Sequence, residues 1–73
     1  MSKRLIRIFQ RELPQKADQL YQRDIHVVLE SNQTIFGKCL RTDHQLLLVE
    51  DYRFHQHTLA FTQIVEVIYD QTV

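Results

Sequence analysis

Cysteine, glycine and proline are each nearly missing from this chain of 73 residues, which holds one of each: Cys39, Gly37 and Pro14. A lone cysteine excludes an internal disulfide and points to a reducing compartment. A lone glycine excludes a glycine-rich loop that cradles phosphate. No apolar run is long enough to span a bilayer, so no membrane partner is expected. The opening Met1 to Arg7 is charged, and neither an uninterrupted apolar stretch nor a small-residue cleavage site follows, so the expected location is cytoplasmic. Net charge is missing as well. Nine Lys and Arg balance nine Asp and Glu, which argues against a wholly basic nucleic-acid binder. No internal repeat, low-complexity segment or linker is present. The length suits a single domain with a small core, near the size at which domains need staples or partners.

The charge that is present is uneven. Residues 1–23 carry Lys3, Arg4, Arg7, Arg11, Lys16 and Arg23 against Glu12 and Asp18, a net +4; residues 24–73 carry the compensating −4. A basic front joined to an acidic body implies either an exposed cationic segment or one docked on an acidic surface.

In chain order, residues 3–13 fit a helix: Leu5, Ile6, Phe9 and Leu13 fall on one side at the 3.6-residue period, with Lys3, Arg4, Arg7 and Arg11 opposite. That basic face either grips phosphates or is the solvated side of an amphipathic helix. Pro14 interrupts, and proline suits the first turn of a new helix, so 15–22 is expected as a second short one. Residues 1–14 are thus expected as a helical extension and 15–73 as the body. From Ile25 the period becomes 2. Ile25, Val27 and Leu29 alternate with His26, Val28 and Glu30, giving a strand with one buried face. Ser31, Asn32 and Gln33 suit a tight turn, and asparagine tolerates the left-handed conformation.

Thr34 to Thr42 follows as a strand with apolar groups on both faces around Gly37, the pattern of a sharply bent strand serving two parts of a curled sheet. Asp43 and His44 form the next turn. Gln45 to Glu50 is apolar on both faces and therefore central. Tyr52 and Phe54 share one parity, whereas Leu59 and Phe61 share the other, so a turn or bulge is expected within 50–57. Leu59 to Phe61 and Ile64 to Tyr69 complete the set. The expected fold is mainly β with an N-terminal helix: a small, five-stranded, strongly bent antiparallel barrel. Its last strand, apolar on both faces, needs covering, and pairing with a neighbouring subunit is the expected cover.

These residues resemble the Sm-like family, most closely its bacterial host-factor (Hfq-type) branch. The resemblance runs from about Gln15 to Asp70. It rests on Ile25 to Leu29, Gly37 followed six residues later by Asp43, the apolar Leu46 to Val49, and Leu59 to Ile64. It implies closed rings of six or seven subunits, formed by strand pairing between neighbours, and single-stranded RNA bound in loops around the pore. Carried onto this chain, Gly37 and Asp43 are the structural motif and His44, Gln45 and Arg41 the RNA contacts, with Lys3, Arg4, Arg7 and Arg11 as a lateral cationic strip. The chain departs from the pattern at Asn32, where glycine is usual. It departs again at His44 and Gln45, where the Hfq branch has glutamine and an aromatic. Phe61 and Thr62 stand where the second motif carries cations, which removes phosphate contacts. An oligomeric protein-interaction module that has kept the fold and lost RNA binding is therefore the alternative, with the N-terminal helix engaging a protein partner. A monomeric SH3-like barrel is a third.

Other chemistry finds little support. His55 and His57 share a strand face and, with His26, His44 or Cys39, would make a nitrogen/sulfur zinc site, but no CxxC or HExxH spacing accompanies them. No metal or other cofactor is expected. Cys39, inside an apolar strand, reads as a small buried hydrophobe rather than a nucleophile. Glu50 and Asp51 read as solvated turn charges. Nothing points to an enzyme.

Overall fold

The computed structural model describes residues 4–70. Six strands form one antiparallel sheet: β1 (Leu5–Phe9), β2 (Asp24–Leu29), β3 (Thr34–Thr42), β4 (Leu46–Asp51), β5 (Gln56–Ala60) and β6 (Ile64–Asp70), in the order β1-β6-β2-β3-β4-β5. The protein is therefore mainly β, as the periodicity implies, but the sheet has six strands rather than five and is not closed. Among the described residues β1 and β5 are its two free edges.

The sixth strand comes from the segment expected to be helical. Leu5–Phe9 runs antiparallel to β6, with Leu5 opposite Asp70, Ile8 opposite Val67 and Phe9 opposite Glu66. Five residues fit both periods, because Ile6 and Ile8 alternate with Leu5, Arg7 and Phe9. A run this short does not separate helix from strand. The open side of β6 decides it. Its N–H and C=O groups need partners, and two β-branched isoleucines suit a pleated surface. Ile8 is fully buried and Leu13 with it, so the segment before Pro14 contributes to the core of the body. The same pairing covers the last strand from within the chain, where a neighbouring subunit was expected.

Helix begins only after β1. A 3-10 turn (Gln10–Glu12), one α-turn α1 (Leu13–Lys16) and a second 3-10 turn (Ala17–Leu20) follow without a break. Glu12 ties the start: its carboxylate accepts the Phe9 amide at 3.1 Å and the Lys16 ammonium at 3.0 Å. The Lys16 bond first, and the Phe9 amide next, hold the Glu12 carboxyl below its ordinary value. Pro14 lies in the first turn of α1, where its missing N–H costs nothing. Leu13, Ala17 and Leu20 point inward.

β3 bends as its composition implies. Its first half pairs with β2 (Ile25 opposite Gly37), Cys39 exchanges backbone bonds with Gln22 and Arg23 just before β2, and residues 41–42 pair with β4. The register to β4 slips at Leu40, so a bulge adds to the bend at Gly37. A Cβ on Gly37 would collide with the Glu50 carbonyl oxygen and lie 2.9 Å from the Asp51 Cα, so close approach of β4 requires glycine there. Asn32 adopts φ 70° in the β2–β3 turn. Ile8 from one edge strand and Leu59 from the other lie in a single core cluster with Val27, Cys39, Leu47, Val49, Ile64 and Val67. The sheet therefore curls around one interior.

Candidate functional site

The β3–β4 turn, 43–45, holds the residues expected at an RNA-binding mouth. The Asp43 amide donates to the Leu46 carbonyl at 2.9 Å, and the Asp43 carboxylate accepts the His44 amide at 2.6 Å. The His44 ring projects into solvent, 94% exposed, with its Nε2 3.5 Å from that carboxylate. The Gln45 carbonyl accepts the Phe61 amide at 2.8 Å. That bond joins the turn to a 3-10 turn, Phe61–Gln63, which is closed by the Gln63 side chain on the Ala60 amide at 3.0 Å. Phe61 itself is buried, and Thr62 is exposed. Arg41, exposed and opposite Leu48, lines an adjoining groove of about 470 Å³ with Thr42, Asp43, Leu46 and Thr58. Arg41, Asp43, His44 and Gln45 are thus close together, and the two turns meet.

Among the described residues the lateral cations Arg4, Arg7 and Arg11 do not join them. A strand in place of a helix separates residues that the wheel put on one side. Arg7 stands on the outward face of β1, 3.6 Å from Glu66. Arg11 lies in the following 3-10 turn and lines a different groove with Phe9, Gln10 and Val65. Arg4 is exposed before β1, and Lys3 falls outside the described residues. Two further cations are engaged elsewhere: Lys16 on Glu12, and Arg23 over the Tyr69 ring at 5.1 Å from its centroid. One arginine at the turn cluster is a weak anion site. Phosphate affinity scales with the number of cations neutralised.

The β4–β5 turn is organised by Asp51. One carboxylate oxygen accepts the Arg53 and His55 amides at 2.9 and 3.0 Å, and the other meets His57 Nε2 at 2.8 Å. These bonds, led by His57, lower the Asp51 pKa to about 2. Phe54 is held at φ 66°, an unusual conformation for a bulky residue, with 81% of its surface exposed. The sequence pattern located this turn but not the Asp51–His57 pair. Among the described residues no three side chains of His, Cys, Asp and Glu gather as a metal site would require. Cys39 is fully buried, with its thiol 3.6 Å from the Arg41 carbonyl, and burial raises its pKa.

The outward face of the sheet carries a feature that residue-by-residue reading passed over. Arg7, Ile68, His26 and Phe36 sit side by side across β1, β6, β2 and β3. The His26 and Phe36 rings are 4.0 Å apart between centroids, tilted by 36°. Tyr52, 68% exposed, and Leu5, 63% exposed, line the same groove as Phe36. The signal was present in the parity of His26 and Phe36 opposite the buried Ile25 and Val27. It needed the strand register to become a patch. No known protein family, curated protein or solved structure matches the chain.

Proposed function

We propose that the chain is a non-catalytic interaction module built on an Sm-like sheet, and that it works by docking polypeptide on its outward face and free edges. The observation that carries this reading is the apolar surface left uncovered on one side: Leu5, Phe36 and Tyr52 around one groove, with Phe54 in the turn beside Tyr52. Small soluble domains rarely leave such residues contiguous without a partner. The scattering of the cations supports it too, since among the described residues no strip of positive charge forms.

Self-association fits the same surfaces. With β6 already paired to β1, strand pairing between copies would use the edges β1 and β5, and β1 offers the apolar sequence Leu5–Phe9. A ring of six or seven copies remains the form the family resemblance suggests, by a different edge from the one first expected. A protein partner would likewise meet β1 as a strand. The lone buried Cys39 suits a reducing, cytoplasmic setting. Among the described residues no helix is long and apolar enough to cross a membrane.

Single-stranded RNA is the second reading, favoured by the bond between Gln45 and Phe61 that brings the two turns of the Sm-like pattern together. His44 would stack on a base, Gln45 would read its edge and Arg41 would meet phosphate. Light scattering at several concentrations, followed by titration with labelled oligoadenylate and oligouridylate at two salt concentrations, separates the two. The interaction module predicts a concentration-dependent mass and flat oligonucleotide curves even at low salt. Submicromolar binding that falls steeply with salt would replace it with the RNA reading.

A further inference from the structure

The outward groove has a charge that selects its occupant. Beside the row of Arg7, Ile68, His26 and Phe36 runs a second, in which Leu5 faces Asp70 and Asp24 faces Lys38. Asp24 and Asp70 lie one step beyond the Ile25–Tyr69 pair, so they stand across from one another on adjacent strands. Like charges in that position disfavour each other. Among the described residues neither forms an ion pair, and Asp70 Oδ1 is shielded from water without a hydrogen bond. Together with His26, Phe36, Ile68 and Tyr52 they bound a groove of about 400 Å³. Arg7, the cation within it, is directed to Glu66.

Outward positions of β1, β6, β2, β3 and the end of β4 carry the carboxylates of Asp24, Glu50, Glu66 and Asp70 against Arg7, Lys38 and Arg41, a net −1, with Arg41 beyond the β3 bulge and outside the groove. A phosphate backbone is repelled by such a face. A cation beside aromatic rings and carboxylates is attracted by both.

We infer that this groove receives a lysine side chain of a partner polypeptide, an inference that rests on the interaction-module reading and names its ligand. The aliphatic stem lies along Ile68 and Phe36, and the ammonium ends between Asp24 and Asp70. The rings supply apolar contact, and the two carboxylates supply specificity for a positive head.

The test is a two-dimensional amide NMR titration of the full chain with two short capped peptides, one with a lysine between two leucines and one with glutamate in its place. The lysine peptide is expected to shift the amides of His26, Phe36 and Ile68 to saturation, and the glutamate peptide to leave them unmoved. The double variant Asp24→Asn/Asp70→Asn, shown by thermal melting to be folded, is expected to weaken the lysine peptide by about tenfold, the scale of one charge-assisted contact. Asp24→Asn alone, at an exposed position, serves if the double variant does not fold. Equal binding of both peptides, or an unaffected variant, overturns the lysine site while leaving an apolar docking face. Shifts of those amides with protein concentration alone, with neither peptide acting, assign the groove to a second copy and also overturn it. Shifts on adding oligouridylate overturn both the site and the interaction-module reading, as does a concentration-independent monomer that responds to neither peptide.

Discussion

Ile8→Ala and Leu5→Ala, made separately, tell a strand from a helix at the front of the chain. As a strand, β1 sends Ile8 into the core with none of its surface exposed, and it leaves Leu5 63% exposed. Truncating a buried isoleucine to alanine removes transfer energy and leaves a cavity, together about 2–5 kcal/mol. An exposed leucine changed to alanine stays within about 0.5 kcal/mol. As a helix the order reverses, because Leu5 lies in the apolar stripe with Ile6, Phe9 and Leu13, whereas Ile8 lies outside it. At about 0.05–0.15 kcal/mol per residue, a domain of this length holds roughly 4–11 kcal/mol, so Ile8→Ala removes a large share. Urea unfolding followed by circular dichroism reads the difference as a lower midpoint at unchanged slope. Each kcal/mol also lowers the melting temperature by about 4–8 °C. A Leu5→Ala variant less stable than Ile8→Ala would refute the strand, and with it the covering of β6 from within the chain.

Gly37→Ala is expected to cost about 1–3 kcal/mol or more, because the added carbon meets the β4 backbone rather than a movable side chain; an unchanged urea midpoint would contradict the close approach. Asp51 is held at about 2, below the ordinary aspartate value of 3.8, chiefly by His57, so its contribution is present above the unfolded value and fades as pH falls from about 4 through 2. Thermal melts across pH 5 to about 2 should fall more steeply for the natural chain than for Asp51→Asn, and parallel curves would remove the role of that pair. Burial of Cys39 predicts slow labelling by a thiol reagent in the native protein and fast labelling in urea, whereas equal rates would place the thiol outside the core.

Much of the sheet was legible because period 2 is a local property. Ile25, Val27 and Leu29 announced β2, and Asn32 announced a left-handed turn. The parity slip between Phe54 and Leu59 announced the β4–β5 connection. Gly37 marked the bend, although its cause is approach by β4 and not backbone freedom, and the bulge at Leu40 had no signal. Residues 5–9 misled for a physical reason. Five residues with two isoleucines satisfy both periods, and what decides between them is an unpaired edge sixty residues away. The candidate site divided in the same manner. Arg41, Asp43, His44 and Gln45 are close in sequence and came out close in space. The grouping of Arg7 with Arg11 depended on a helix and dissolved without it. The outward groove joins residues from four strands and a turn, so only the register could reveal it.

The pairing of β1 with β6 of the same chain is the claim from which the free edge at β1 and the outward groove follow. Nuclear Overhauser contacts between the Ile8 and Val67 backbones, recorded on an equal mixture of isotope-labelled and unlabelled protein, test it directly. The account predicts those contacts within one labelled chain at every concentration. Contacts found only between labelled and unlabelled chains, or none between these residues, would contradict it.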